Sequence, residues 1–212
     1  MNCKVIDLGI IDYKEAYALQ QKYAKEVLDG SDQVLILCEH PTVLTMGRLA
    51  KESNVLYSKD KLKEIGVDVL GIDRGGDVTL HAKGQLVAYP ILNLANYGKD
   101  LRKYLFKLEQ VVIDLLSDFD IVANRLSGKT GAWVGDKKIA SIGIGVRKWV
   151  SIHGLALNVN TDLNHFAMIN PCGLNVSMTS VSQVLGRDIE INEVKQVLID
   201  CFCSQFGMKK GQ

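Results

Sequence analysis

The stretch TGAWVGDKKIASIGIGVRKWVSIHGLALNV, Thr130 to Val159, decides the fold of this 212-residue chain. Its apolar residues fall into runs of strand length: Thr130 to Val134, Lys138 to Val146, and Trp149 to Val159. The short break Gly135-Asp136 between the first two predicts a tight hairpin. Working outward, Leu101, Leu105, Leu108, Val112, Leu115 and Phe119 repeat at helical spacing, which predicts a long helix over Lys99 to Phe119. A last helix is predicted over Asn192 to Phe206. Toward the N-terminus, Gln85 to Leu94 reads as a strand, and Val67 to Ile72 as an apolar run leading into Gly75-Gly76. Gln33 to Cys38 is a further strand, ended by Pro41. Asp12 to Leu28 is an amphipathic helix, with Ala16, Leu19, Tyr23 and Val27 on one side, Asp12 as its cap and Gly30 as its end. Helices flanking a predominantly antiparallel or mixed sheet predict an α+β or mixed α/β fold, as a single domain over 1–212.

Composition sets the outer bounds. Apolar residues make up 47% and charged residues 23%, with 25 basic against 24 acidic side chains and a net charge of +1. That balance excludes a disordered or collagen-like chain, and it argues against bulk electrostatic binding to nucleic acid or membrane. The five cysteines, Cys3, Cys38, Cys172, Cys201 and Cys203, are odd in number and lack a C-x-x-C spacing. A disulfide framework and a zinc site are therefore not expected, and a reducing, cytoplasmic setting is. Met1 to Gly9 lacks the apolar core of a secretory signal, and no run approaches the ~18 apolar residues of a membrane span.

Three segments carry polar residues that folding alone does not require. In Arg74-Gly75-Gly76-Asp77-Val78-Thr79-Leu80-His81 two glycines let backbone approach a ligand, with Arg74, Thr79 and His81 as donors beside them. An ordinary hairpin with a solvated Arg reads the same way, and the phosphate-loop pattern is absent. In the second segment Lys138 opens a strand of small residues, Ala140, Ser141 and Gly143. Its ammonium either lies in water at the strand end or points inward as a desolvated cation. In the third, Cys172 sits between Pro171 and Gly173, turn formers that display a side chain, whereas Cys38, Cys201 and Cys203 fall in apolar strand or helix patterns. A lysine near a thiol lowers its pKa and supplies a proton donor, so Cys172 and Lys138 form a candidate nucleophile and activator. His153 and His81 are alternative bases; His40 and His165 read as structural. The runs Lys59 to Glu64 and Lys209-Lys210 read as solvated faces, and Cys201-x-Cys203 as thiols on different sides of a helix.

Taken in order, RGGDVTLHAKGQLVAYPILNL, GAWVGDKKIASIG, HGLALNVNTDL, INPCG and the weaker TMGRLAKESNVL resemble the lipoyl(octanoyl) transferases over nearly the whole chain. The resemblance implies the fold of biotin and lipoate protein ligases, a mixed sheet flanked by helices. It implies an acyl-thioester intermediate on Cys172 with Lys138 as partner, and no cofactor or metal. It implies substrate-binding segments at Arg74 to His81, at Ser141, Ile142 and Gly143, and at Gly154, Leu155 and Ala156. Octanoyl-acyl carrier protein would be the donor. Lipoyl domains of 2-oxoacid dehydrogenase E2 subunits and the glycine-cleavage H protein would be acceptors, with neither nucleic acid nor membrane as partner. Members commonly read His-Gly-Pro-Gly-Gln where this chain has His81-Ala82-Lys83-Gly84-Gln85, which changes the turn chemistry. Rival expectations are an ATP-dependent lipoate or octanoate ligase, a cysteine hydrolase, and a non-catalytic acyl-binding module. Carrier proteins are acidic, so a basic docking face is expected, with Arg147, Lys148 and Lys83 as contributors.

Overall fold

The structure, a computed structural model, describes residues 1–170 and 176–211. Its strands are β1 (Asn2–Ile10), β2 (Gln33–Glu39), β3 (Val43–Met46), β4 (Asp68–Gly71), β5 (Val78–His81), β6 (Gln85–Ile91), β7 (Asn124–Leu126), β8 (Lys129–Val134), β9 (Lys137–Arg147), β10 (Val150–Asn158) and β11 (Lys209–Lys210). Its helices are α1 (Tyr13–Leu28), α2 (Lys59–Glu64), α3 (Leu101–Ser117), α4 (Val181–Leu185) and α5 (Ile191–Phe206). Eight strands form one sheet in the order β11-β1-β2-β6-β10-β9-β8-β7, parallel at β11-β1-β2 and antiparallel beyond. A second sheet, β4-β3-β5, packs beside it.

Alternation explains why the central strands read as nearly unbroken apolar sequence. β2 sends Leu35 and Leu37 to one face and Val34, Ile36 and Cys38 to the other, and β6 does the same with Leu86 and Ala88 against Val87, Tyr89 and Ile91. Both faces are covered, so neither set can be polar. α3 and α5 cover the first face, where Leu108, Val111, Val112 and Leu115 are fully buried. Each such side chain is worth about 1.5–3 kcal/mol over an exposed one. α1 covers the second face through Ala16 and Val27. Asp12 caps it, its Oδ1 accepting from Lys14 N at 2.7 Å.

Of the helical face read from the sequence, Leu108, Val112 and Leu115 are buried, Leu105 and Phe119 are half-buried, and Leu101 at the start of α3 is 39% exposed. The charge run at Lys59 to Glu64 is helical, with Ser58 as cap and Leu62 as its buried anchor. That anchor joins Leu44, Val78, Leu80 and Met168 in a small core under the second sheet. Lys209 and Lys210 are exposed, as expected, but form an edge strand beside β1. Among the described residues, no helix is long and apolar enough to cross a membrane.

Candidate active site

The loop Asp73–Asp77 lies over the β9–β10 hairpin because β9 offers it no side chains to displace. Gly75 N donates to Ile144 O at 2.8 Å. A Cβ on Gly143 would stand 3.1 Å from Arg74 Cδ and 3.2 Å from Gly75 O, a tight fit in which the loop would have to give by a few tenths of an ångström. The loop is held from above by the segment after β3: Arg48 N donates to Arg74 O and Leu49 N to Gly76 O. Arg74 is buried beneath this double layer. Its Nη2 donates to Thr45 O at 2.7 Å and Thr45 Oγ1 at 3.0 Å, its Nη1 to Gly75 O at 3.0 Å. Its Nε makes no hydrogen bond among the described residues.

Lys138 stands where β9 is irregular. Ala132 pairs with Ala140 but Trp133 with Lys138, so Ile139 is an extra residue, a bulge that re-aims the lysine. The Nζ of Lys138 lies 5.5 Å from the centre of the Trp133 ring. Its stem crosses Gly131, whose φ of +126° and contact with the Ala140 carbonyl exclude a side chain. The backbone of Lys138 is joined to the chain beyond the third segment, its N donating to Ser177 O at 2.8 Å and its O accepting from Thr179 N at 2.9 Å. On the near side of that segment, Asn170 N donates to Asn54 O. Cys172 itself lies outside the described residues.

Between these elements is a cavity of about 470 Å³, within the ~300–1,000 Å³ usual for small-ligand sites. Arg74, Gly75, Gly76, Asp77, Val78, Thr79 and His81 line it, as do Lys138, Ser141, Ile142 and Gly143, and Gly154, Leu155 and Ala156. Leu80 does not: it is fully buried in the small core under the second sheet. Tyr13, Tyr89, Trp133 and the flanking Val176 and Met178 also line the cavity, and the sequence reading had not singled them out.

One part of the wall is a cluster of tyrosines and histidines. His40 Nδ1 donates to Ile11 O at 2.7 Å, leaving Nε2 to accept from Tyr89 OH at 2.7 Å. His153 Nε2 donates to Asp73 Oδ1 at 2.8 Å, leaving Nδ1 to accept from Tyr13 OH at 3.4 Å. Tyr17 OH donates to the same Asp73 oxygen, and its ring stacks on His153 at 5.5 Å. Alternation along β10 would turn His153 toward α3, but its φ of +58° brings it to the α1 side, a strained conformation of the sort that collects at functional sites. Burial lowers the pKa of His40, His81 and His153, so all three are neutral imidazoles at pH 7. Burial opposes ionisation of Asp73, but its bonds from His153 and Tyr17 outweigh it and hold the carboxyl below its usual range.

The model of the lipoyl protein ligase A/B catalytic domain matches residues 12–203. The chain belongs to that family. An octanoyltransferase of Caldicellulosiruptor saccharolyticus is 43% identical over 213 residues, 99% of this chain and 91% of the relative. One from Geotalea uraniireducens is 46% identical over 193 residues, 90% of this chain and 87% of the relative. With these relatives, this lipoyl ligase A/B-family chain is an acyltransferase. Its fold is similar to lipoate-protein ligase A bound with ATP, at TM-score 0.86 and 19% identity over 100% of this chain and 88% of that one. Biotin protein ligase from Aquifex aeolicus in complex with biotin and ATP is more distant, at TM-score 0.60 and 15% identity over 97% of this chain and 70% of that one. The fold expected from the resemblance, a mixed sheet between helices, is the one observed.

In this family member the expected basic face does not form as one surface. Arg147 and Lys148 end β9 at one end of β10, whereas Lys83 precedes Gly84, whose O accepts from Val159 N just past the other end. Nine residues of extended chain separate them, about 30 Å. Arg147 instead shares a shallow groove with Arg48, next to Asp73 and Tyr17. Neither arginine side chain makes an ion pair or hydrogen bond among the described residues. Among those residues no group of three or more His, Cys, Asp or Glu is placed to hold a metal.

Proposed function

We propose that this chain, acting as a single catalytic domain over 1–212, carries an octanoyl group from octanoyl-acyl carrier protein to a lysine of lipoyl domains, through an acyl-thioester on Cys172. The observation that carries this reading is the 43% and 46% identity to octanoyltransferases over nearly the whole chain. The chemistry of the cavity supports it. None of the four described cysteines lines the cavity, and burial raises each thiol, Cys3 to about 12 and Cys201 to about 11. Cys172 is four residues from Val176 in sequence, and the backbone of Lys138 bonds to the residue after Val176.

In the first half-reaction the Lys138 amine takes the thiol proton and the Cys172 thiolate attacks the donor thioester. The carrier sulfur leaves and receives that proton from Lys138. In the second, the acceptor amine attacks the acyl-enzyme, its proton passes to Lys138, and Cys172 sulfur leaves. Thioester exchange is nearly balanced and thioester to amide is downhill, so neither half needs ATP. The small residues at Ser141 to Gly143 and Gly154 to Ala156 line the acyl slot. Each buried methylene is worth about 0.8 kcal/mol, so a chain two carbons shorter should bind roughly tenfold to twentyfold more weakly. The acceptors would be lipoyl domains of 2-oxoacid dehydrogenases and the glycine-cleavage H protein, in a reducing cytoplasm.

The test is intact-protein mass spectrometry after mixing with octanoyl-carrier protein without ATP, for the wild type and Cys172→Ala. An octanoyl adduct on the wild type alone, discharged by a lipoyl domain, is the expected result. The likeness to a ligase bound with ATP supplies the second reading. No adduct, with the acceptor modified only when ATP and free acid are supplied, would establish that one instead.

A further inference from the structure

Two of the three buried histidines have both nitrogens occupied: His40 by Ile11 O and Tyr89 OH, His153 by Asp73 and Tyr13 OH. His81 is different. Its Nδ1 lies 2.8 Å from Gln85 Oε1, while its Nε2 has no hydrogen-bond partner among the described residues, and the ring lines the cavity.

Which nitrogen carries the proton can be worked out from fixed backbone groups. The carbonyl of Thr179 only accepts, so the Asn158 group 3.0 Å from it is the amide Nδ2. That turns Asn158 Oδ1 toward Gln85, whose Nε2 donates to it at 2.9 Å. The carbonyl of Leu80, 3.3 Å from the same Nε2, requires the same orientation of Gln85. Gln85 therefore presents its oxygen to His81, so Nδ1 bears the hydrogen and Nε2 a bare lone pair. Gln85, Asn158 and Thr179 are all nearly fully buried, which keeps water from substituting in the chain. Thr179 N also donates to the backbone carbonyl of Lys138, so the same chain of bonds reaches the backbone that carries the second candidate group.

We propose that Gln85 and Asn158 are positioning residues that lock His81 as its Nδ1–H tautomer, and that the open Nε2 accepts a hydrogen bond from the amine of the acceptor lysine and orients it for attack. This rests on the octanoyl-transfer reading above. A neutral imidazole with depressed basicity suits this task, since it stays an acceptor where a normal histidine would begin to protonate. The proton lost by the amine still goes to Lys138; His81 orients the amine and takes no proton in the reaction.

Two measurements test the proposal. Nitrogen-15 spectra of histidine-labelled wild type, with the His81 resonance assigned by its loss in His81→Gln, should show a protonated Nδ1 and a bare Nε2. In Gln85→Met the lock is removed, and the ring should populate the other tautomer. A wild-type ring with bare Nδ1 overturns the lock. In the second measurement, the ratio of octanoyl discharge onto a lipoyl domain to octanoyl loading should fall about tenfold in His81→Leu, the worth of one oriented hydrogen bond. His81→Gln, which carries an amide oxygen near the position of Nε2, should recover most of it. An unchanged ratio in His81→Leu, or no recovery in His81→Gln, overturns the orienting role. A wild type that never loads octanoyl sinks the transfer reaction, and with it the orienting role, while the spectra still decide the tautomer.

Discussion

Gly131→Ala separates the two neighbours that a side chain at that position would meet. The new Cβ would collide with the carbonyl of Ala140, which is held by the β8–β9 pairing, and would stand 2.6 Å from Lys138 Cε, the movable end of a flexible chain. The residue also has φ +126°, a conformation open essentially to glycine. Backbone strain there is worth about 1–3 kcal/mol, and forcing a methyl group against fixed backbone about 1–3 kcal/mol more. The variant should lose roughly 2–6 kcal/mol of stability in urea titration. Gly135→Ala is the internal reference. It has φ +59° with nothing within 4 Å of its Cβ, so it carries strain without collision. Its loss should be about 1–2 kcal/mol. Because Lys138 Cε gives way more readily than the Ala140 carbonyl, the ammonium should also move off Trp133, and octanoyl transfer by folded Gly131→Ala should fall well below that of Gly135→Ala. If the two variants were equally stable and equally active, the close packing of Lys138 on Gly131 would be wrong.

Lowering the pH should unfold the protein more easily. His40, His81 and His153 titrate below 6.5 when folded and near 6.5 when unfolded, so unfolding takes up protons below that pH and stability falls with it. Each contributes at most about 1.4 kcal/mol at pH 5.5, together no more than about 4 kcal/mol; urea midpoints equal at pH 7.5 and 5.5 would contradict the buried neutral cluster. At the β9–β10 turn, Lys148 and Trp149 have φ of +48° and +64° in a two-residue hairpin that favours Asn-Gly. Lys148→Asn with Trp149→Gly should raise stability by about 1 kcal/mol, read as a higher urea midpoint. Charge reversal at Arg48 and Arg147 should raise the KM for an acidic carrier protein and reduce its salt dependence, whereas Lys83→Glu should do neither. Equal effects of all three would restore the single basic face.

Long periodic elements were legible because their pattern is local. α1, α3, α5 and the three strands from Lys129 to Asn158 fall within about two residues of the expected ends. Short strands carry too little pattern: β5 was hidden inside what read as a polar loop from Arg74 to His81, and β7 spans three residues. Most of the residues expected to bind substrate line one cavity, yet the rest of that cavity depends on contacts across the chain. Tyr13 and His153 meet 140 positions apart, and no window of sequence contains both. The bulge at Ile139 is equally invisible, since register is a property of two strands. Lys83 was grouped with Arg147 and Lys148 by charge alone, and charge says nothing about which end of a strand a residue occupies.

The pairing of β1 with β11 brings Lys209 N to within 3.0 Å of Met1 O, so the two termini are neighbours in the sheet. A short linker joining them should let the chain be reopened elsewhere by circular permutation. The Gly135-Asp136 tip is the informative place to cut, because the β8–β9 covalent link is then gone and Trp133 and Lys138 meet only through the ladder. A permutant that folds and still acts would show that the lysine is held by packing alone. One that folds without acting would show that the hairpin's own connectivity keeps the ammonium in place.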